Sequence, residues 1–296
     1  MSTDDQTPVE YQGRIAPGKN WTEIVAWVGD LPPLPQVASR AITLVEDPET
    51  TTGQLTDLLS SDTALAARVL KIANSAMFSR QREINTLSQA IMVIGFKALK
   101  GIVVAATLRQ LNRKQGKTEE TVWANSMCTA MSSHIIAQKL KKPYMDECFL
   151  LGLLHDLGKL VLIRQTSEEY KEIVNRVKNG STFVDAETDV LGFAHPLIGA
   201  LVAKKWNFSP EICQVILHHH DDVDMPFDND TDEKTGIVQV ANYIAHHIEC
   251  GHIDGYPDLS EKYLPVAASL GLDASMLQEL YEETAATFDE QSSIFG

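Results

Sequence analysis

The run Leu153-Leu154-His155-Asp156-Leu157-Gly158-Lys159 sets an imidazole beside a carboxylate within an otherwise apolar stretch. Burying such a pair among leucines costs roughly 2–7 kcal/mol per polar group unless partners compensate. Two kinds of partner would serve. A divalent metal ion is one, since imidazole nitrogen and carboxylate oxygen are ordinary ligands. A closed hydrogen-bond network is the other. Further histidines favour the first. His195 opens a helix at Ala194-His195-Pro196-Leu197, and His218, His219 and His220 close the next one. Each could point into the centre of a bundle, where helical metal sites are built from facing side chains. The competing reading of the triple histidine is a polar helix end whose dipole favours an imidazolium.

The elements that must position these residues read as helices. Trp21, Ile24, Val25 and Val28 recur at helical spacing, and Leu31-Pro32-Pro33-Leu34-Pro35 interrupts the pattern. Val37, Ile42, Leu44 and Val45 continue it up to Asp47-Pro48. Thr51 or Thr52 caps a short helix through Leu55, Leu58 and Leu59. Ser61 or Asp62 caps another that carries Leu65, Val69, Leu70 and Ile72, with its exit at Asn74-Ser75. Helices over 87–94 and 97–111 flank Gly95, and the polar tract 112–117 separates two helical halves. The second half predicts helices over 119–140, 147–164, 167–178, 182–191, 196–206, 210–220 and 234–250. A connector at 251–258 leads to helices over 263–270 and 273–288. The segment 221–233 is dense in Asp and Glu, carries Pro226 and Asn229, and reads as an exposed loop. No stretch alternates apolar and polar with period two, and no repeat of fixed period occurs. The expected fold is all-α, a multi-helix bundle. A flexible arm (1–20) precedes an N-terminal helical subdomain (21–117), which packs on a second helical subdomain (118–255) followed by C-terminal helices (256–296).

Composition removes several function classes. Of 296 residues, 44% are hydrophobic and 22% charged, as in globular proteins that bury a core. With 25 basic and 40 acidic side chains the formal charge is −15, which argues against a nucleic-acid backbone as partner. No apolar run approaches the ~20 residues of a membrane span. Met1-Ser2-Thr3-Asp4-Asp5 is too polar and acidic for a secretory signal. Cys128, Cys148, Cys213 and Cys250 lie far apart and read as reduced, mostly buried thiols of a cytoplasmic protein. Lys97, Lys100, Arg109, Arg113, Lys114 and Lys117 make a local basic stretch, read as a solvated helix face in preference to a phosphate or partner site.

The order of these histidines along the chain resembles the HD superfamily of metal-dependent phosphohydrolases. Leu31-Pro32-Pro33-Leu34-Pro35, the run from Ser61-Asp62 to Asn74-Ser75, and Leu87-Ser88-Gln89-Ala90-Ile91 through Ile94-Gly95 are similar to the HDOD family, the HD-related output domain. The resemblance covers roughly residues 25–225. It implies an all-helical domain used in bacterial signalling, whose members usually lack a complete HD active site and have no firmly assigned reaction. Its first ligand should sit on the helix beginning Val122-Trp123-Ala124, and Asn125 stands there. His134 is no substitute, since nine residues put it on the opposite face and ~13 Å along. His155 and Asp156 match the central pair. Lys159 matches the basic position that follows, where it could contact an anion. His195 matches the third ligand, and His218 and His219 match the paired histidines of binuclear members. The closing Asp is replaced by Asn242, with His246 one turn on.

Hydrolysis of a phosphoester would need a metal to lower the pKa of bound water and clamp the phosphoryl oxygens. Asn offers only a neutral carbonyl oxygen, and two expected ligands are Asn. No catalytic residues are therefore assigned. His155, Asp156, His195, His218 and His219 are expected to hold at most a weak divalent metal. Otherwise they form a polar core in which Asn125 and Asn242 satisfy them by hydrogen bonds. No other cofactor is expected. The expected function is a non-catalytic regulatory output module of bacterial signal transduction, acting through an unknown signalling protein or a small ligand. Without a receiver, cyclase or kinase segment, it would stand alone and be regulated in trans. The alternative is an HD-type phosphohydrolase acting on nucleotides or cyclic dinucleotides, and a third reading is a metal- or nucleotide-binding sensor without turnover. Gly255-Tyr256-Pro257 spells the tripeptide of the HD-GYP phosphodiesterases, but it follows Asn242 instead of preceding it and is read as a coincidence of turn residues.

Overall fold

Local capping sets the first helices. The computed structural model describes residues 8, 11–17, 20–29, 34–74, 84–111 and 116–295. The interruption at 31–33, the exit at Ser75, the polar tract 112–115, Arg113 and Lys114, and the side chains of Lys97 and Arg109 lie outside the described residues. Helices α1 (Trp21–Gly29) and α2 (Gln36–Glu46) lead to α3 (Thr52–Ser60), where Thr51 and Gln54 close a capping box. In α4 (Thr63–Ala73) the Asp62 carboxylate accepts from the Ala64 and Leu65 N–H groups at 3.1 and 3.0 Å. α5 (Leu87–Leu111) is broken at Gly95, whose φ of 77° and ψ of 169° are open only to glycine. Its two apolar arms, Leu87–Phe96 and Ala98–Thr107, bend by 117°. Among the described residues no single helix is long and apolar enough to cross a membrane.

The second half begins with the long α6 (Lys117–Lys139), followed by α7 (Met145–Leu154), α8 (Leu157–Gln165), α9 (Ser167–Lys178) and α10 (Phe183–Leu191). Then come α11 (His195–Lys205), α12 (Pro210–His218), α13 (Asp230–His247), α14 (Ser260–Ser269) and α15 (Ala274–Phe295). No β-strand is formed among the described residues, and the fold is the all-α bundle expected. α6 packs against α7, α13 and α15, while α11 packs against α8 and α12. One core joins the halves: Leu55, Leu59, Leu99 and Ile102 cluster with Phe149, Leu154, Ile198 and Ile216. A second core holds Ile136, Ile237, Val240, Ile244, Tyr263 and Leu280 under the C-terminal helices.

The structure departs from the sequence reading in four places. The helix expected over 147–164 is two helices, with the turn at His155-Asp156. The acidic loop ends early: Asn229 caps α13 by accepting from the Thr231 and Asp232 N–H groups, and Asp230, Asp232 and Glu233 sit in its first turn, where the helix dipole favours carboxylates. The expected arm is in part packed. Tyr11 is buried and stacks on Trp21, Ala16 N–H donates to Gly192 O at 2.7 Å, and Arg14 pairs with Asp221. Finally, Lys100 is not on a solvated face. It is buried, pairs with Glu46 and lies 5.5 Å from the Phe208 ring centroid.

Candidate functional site

The break between α7 and α8 turns Asp156 toward α11. Gly158 makes this approach feasible, because a Cβ there would lie 2.0 Å from the His195 carbonyl oxygen. A pair of helices this close puts the residue opening α11 beside the residue preceding α8. His195 Nε2 stands 3.2 Å from Asp156 Oδ1, and His219 Nε2 stands 3.7 Å from the same oxygen. The other oxygen, Oδ2, accepts from Lys159 Nζ at 2.8 Å and has His155 Nε2 at 3.3 Å. His155, Asp156, Lys159, His195 and His219 are all at most 2% exposed.

Three imidazoles in this cluster are held by their far nitrogens. His155 Nδ1–H donates to Gly152 O and His219 Nδ1–H to Ile216 O, each at 2.7 Å. Carbonyls only accept, so both rings carry the proton on Nδ1 and turn Nε2 inward. His195 is held by a carboxylate: Glu187 Oε2 accepts from both its Nδ1–H and its backbone N–H at 2.7 Å, while Tyr170 Oη–H donates to Glu187 Oε1 at 3.0 Å. Burial, the largest influence, would lower the His195 pKa, but the Glu187 charge and the hydrogen bonds to Asp156 and Glu187 together outweigh it, and the net shift is upward. Burial pushes His219 down to about 3, helped by His155 and His195. His195 Nε2 and His219 Nε2 stand 3.3 Å apart. For Asp156, burial acts to raise the pKa, yet His155 and Lys159 together hold it well below the usual carboxylate range.

This network leaves three inward atoms without an aligned hydrogen bond: Asp156 Oδ1, His155 Nε2 and His220 Nε2. Donor atoms of Asp156, His195, His219 and His220 all lie within 4.8 Å of one another. That set fits one divalent ion, with three nitrogens and one carboxylate oxygen. An ion held there would polarise a bound water and lower its pKa. Glu187 would keep the Nδ1 proton of His195 and leave its Nε2 to face the ion.

The residues picked from the sequence do not all converge. His155, Asp156, Lys159, His195 and His219 converge. His218 does not join them, since its Nδ1 lies 2.7 Å from Asp221 Oδ2 and 3.0 Å from Arg14 Nη2. His220 takes its place, because α12 ends at His218 and the chain beyond it leaves the helical path. Asn125 and Asn242 are each 3% exposed, and Asn125 Oδ1 and Nδ2 and Asn242 Oδ1 make no hydrogen bond to the histidines. The expectation that they satisfy the cluster is corrected. His134 lies 3.8 Å from Asp146, apart from the cluster. Glu187 and Tyr170 went unread in the sequence. Their signal is position: Glu187 shares the buried face of α10 with Phe183, Ala186 and Leu191, and Tyr170 shares that of α9 with Ile173 and Val177. A polar side chain on an apolar stripe needs a buried partner.

A second feature adjoins the cluster. Tyr263 Oη lies 3.3 Å from His220 Nδ1, and Tyr263 also lines a cavity of about 200 Å³ bounded by α13 and the connector after it. Tyr256 of the Gly-Tyr-Pro segment stacks on His246 in that wall, at 4.3 Å and 16°.

Comparison with known proteins matches the HDOD domain model to residues 31–222. An uncharacterised protein of Treponema pallidum (strain Nichols) is 23% identical over 203 residues, covering 65% of this chain and 38% of its own length. The chain thus spans well under half of that relative. Among solved structures, an HDOD domain protein of unknown function from Geobacter sulfurreducens superposes with a TM-score of 0.74 at 23% identity, over 92% of this chain and 97% of the other. A candidate phosphohydrolase from Shewanella amazonensis gives 0.71 at 23% identity, over 92% and 96%. At these identities the likeness speaks for the fold.

Proposed function

The chain belongs to the HDOD domain family, and from that premise we propose that it is a regulatory output module of bacterial signal transduction that works by binding a protein or small ligand and not by turnover. One observation carries the reading: the donors gathered around Asp156 suffice for one ion, and the two positions where an imidazole and a carboxylate were expected are buried amides, Asn125 and Asn242. A two-ion phosphohydrolase centre clamps the attacking and leaving oxygens between metals ~3.5–4 Å apart. Here Oδ2 of the central carboxylate accepts from Lys159, and the gathered nitrogen donors are those of one ion site. Lys159 sits against Asp156, and His195 against Glu187. Asn125 and Asn242 add no charge.

A second reading, an HD-type phosphohydrolase with one metal, is favoured by the donor set around Asp156 Oδ1. A screen of nucleotides, cyclic dinucleotides and phosphomonoesters separates the two. It is run with added Mn²⁺, Fe²⁺, Zn²⁺ or Ni²⁺, and beside a His155→Ala control. The regulatory reading expects no turnover above that control. Turnover lost in His155→Ala would replace it with the hydrolase.

A further inference from the structure

We propose that the cavity beside α13 takes an uncharged, planar nitrogen heterocycle of nucleobase size, read by Asn242, His246 and His252. The proposal rests on the reading of this chain as a binder without turnover, and it names the ligand class.

The first ground is unpaired hydrogen-bonding capacity. Asn242 is 3% exposed and lines the cavity, and its Oδ1 has no hydrogen-bond partner. Neither nitrogen of His246 has one, nor does His252 Nδ1, and all these atoms are buried. A buried polar atom left in this state is costly, and native sites pair such atoms. An amide carbonyl accepts, and a neutral imidazole both donates and accepts. Their complement is a ligand with donors and acceptors along its edges.

The second ground is charge. Among the described residues the lining holds no Lys or Arg, and it includes the Asp258 carboxylate. Burial first, then Lys159, pushes His246 down to about 3, so its ring is neutral near pH 7. A phosphate would find no Lys or Arg among these residues and one carboxylate of like charge. The ligand is therefore the uncharged ring system and not its phosphorylated form.

The third ground is shape. Tyr243, Tyr256 and Tyr263 line the cavity with the imidazoles, and Tyr256 and His246 lie nearly parallel. Flat π faces stack on flat rings, and base–aromatic stacking is tolerant of which base is present. This gives the amide at position 242 a positive role. A neutral Asn can read a heterocycle edge that an Asp would repel wherever the edge presents acceptors. Tyr263, which touches both the cavity and His220, would pass occupancy on to the histidine cluster.

The test titrates the full chain with adenine, adenosine, guanosine, cytidine and uridine, with the matching 5′-monophosphates, and with glucose. Heat is measured alongside the ring-proton shifts of His246 and His252. The expected result is saturable binding of at least one base or nucleoside with Kd below about 1 mM. The two histidines should shift, and the monophosphate should bind at least tenfold more weakly. Tyr256→Leu and His252→Ala should each weaken binding at least tenfold, and Tyr256→Phe should retain it. No saturable binding by any base or nucleoside, tighter binding of the monophosphate, or binding of glucose alone would overturn the proposal. A monophosphate that is bound and hydrolysed in a His155-dependent way would overturn the regulatory reading as well. Silence from every compound without turnover would overturn this proposal alone.

Discussion

Lys159 Nζ lies 2.8 Å from Asp156 Oδ2, one turn along the chain, with both side chains at most 2% exposed. The pair fixes one oxygen of the central carboxylate inside the buried cluster. Removing one partner of a buried ion pair strands the other, at a cost of roughly 3–5 kcal/mol. Lys159→Met is expected to lower the urea unfolding free energy by about that amount. A loss near zero would show that Asp156 is not charged or not dependent on Lys159.

Gly158 sets the distance between α8 and α11. A Cβ there would lie 2.0 Å from His195 O and 2.8 Å from Gly199 N, and both of these are backbone atoms. Gly158→Ala must therefore part the two helices and pull Asp156 away from His195. A loss of about 3 kcal/mol or more is expected, as for overpacked cores. Gly53→Ala, which meets only Thr51 Oγ1 at an ordinary 3.8 Å, is the control. Equal melting temperatures for the two variants would contradict the close crossing.

Acid should unfold the protein through its buried neutral histidines. His219 and His246 fall from 6.5 to about 3 on folding, chiefly by burial. Between those values the unfolded chain binds their protons and the folded chain does not, so stability falls as pH falls. Two such groups give a slope of about 2.7 kcal/mol per pH unit in the middle of the window. His195 works in the opposite sense. Its raised pKa gives stability that is complete below the unfolded value and lost as pH rises through the folded one, so it leaves the acid limb unmasked. Unfolding free energies measured from pH 7 to pH 4 check this, and a flat profile would contradict it.

Much of this architecture was legible because its punctuation is local. Asp62 and Thr51 sit where caps belong, and the helices they open begin at the next residue. The break at His155-Asp156 was not legible, since the apolar run continues through it and only the close approach of α11 demands the turn. The same cause hid His220. A helix drawn through to residue 220 rotates the triple histidine, whereas ending it at His218 swings His219 and His220 inward and leaves His218 with Arg14. Glu187 was hidden by its distance of eight residues from the histidine it holds, although its place among apolar neighbours marked it.

Asn125 and Asn242 can be tested by reversal. Asn125→His combined with Asn242→Asp adds an imidazole and a carboxylate to the helix pair α6 and α13, which pack together. If these positions face the same centre as Asp156, Mn²⁺ affinity should rise at least tenfold, about 1.4 kcal/mol. Calorimetry of the double variant against the parent reads this directly. Unchanged affinity would show that the two positions do not face the cluster.

The central claim is that Asp156 can serve one cation and not bridge two. Native mass spectrometry of the full chain, titrated to saturation with Mn²⁺, Fe²⁺ or Zn²⁺, counts the ions bound. The account expects no more than one ion per chain, lost in His219→Ala. Two ions per chain, both lost in Asp156→Ala, would contradict it.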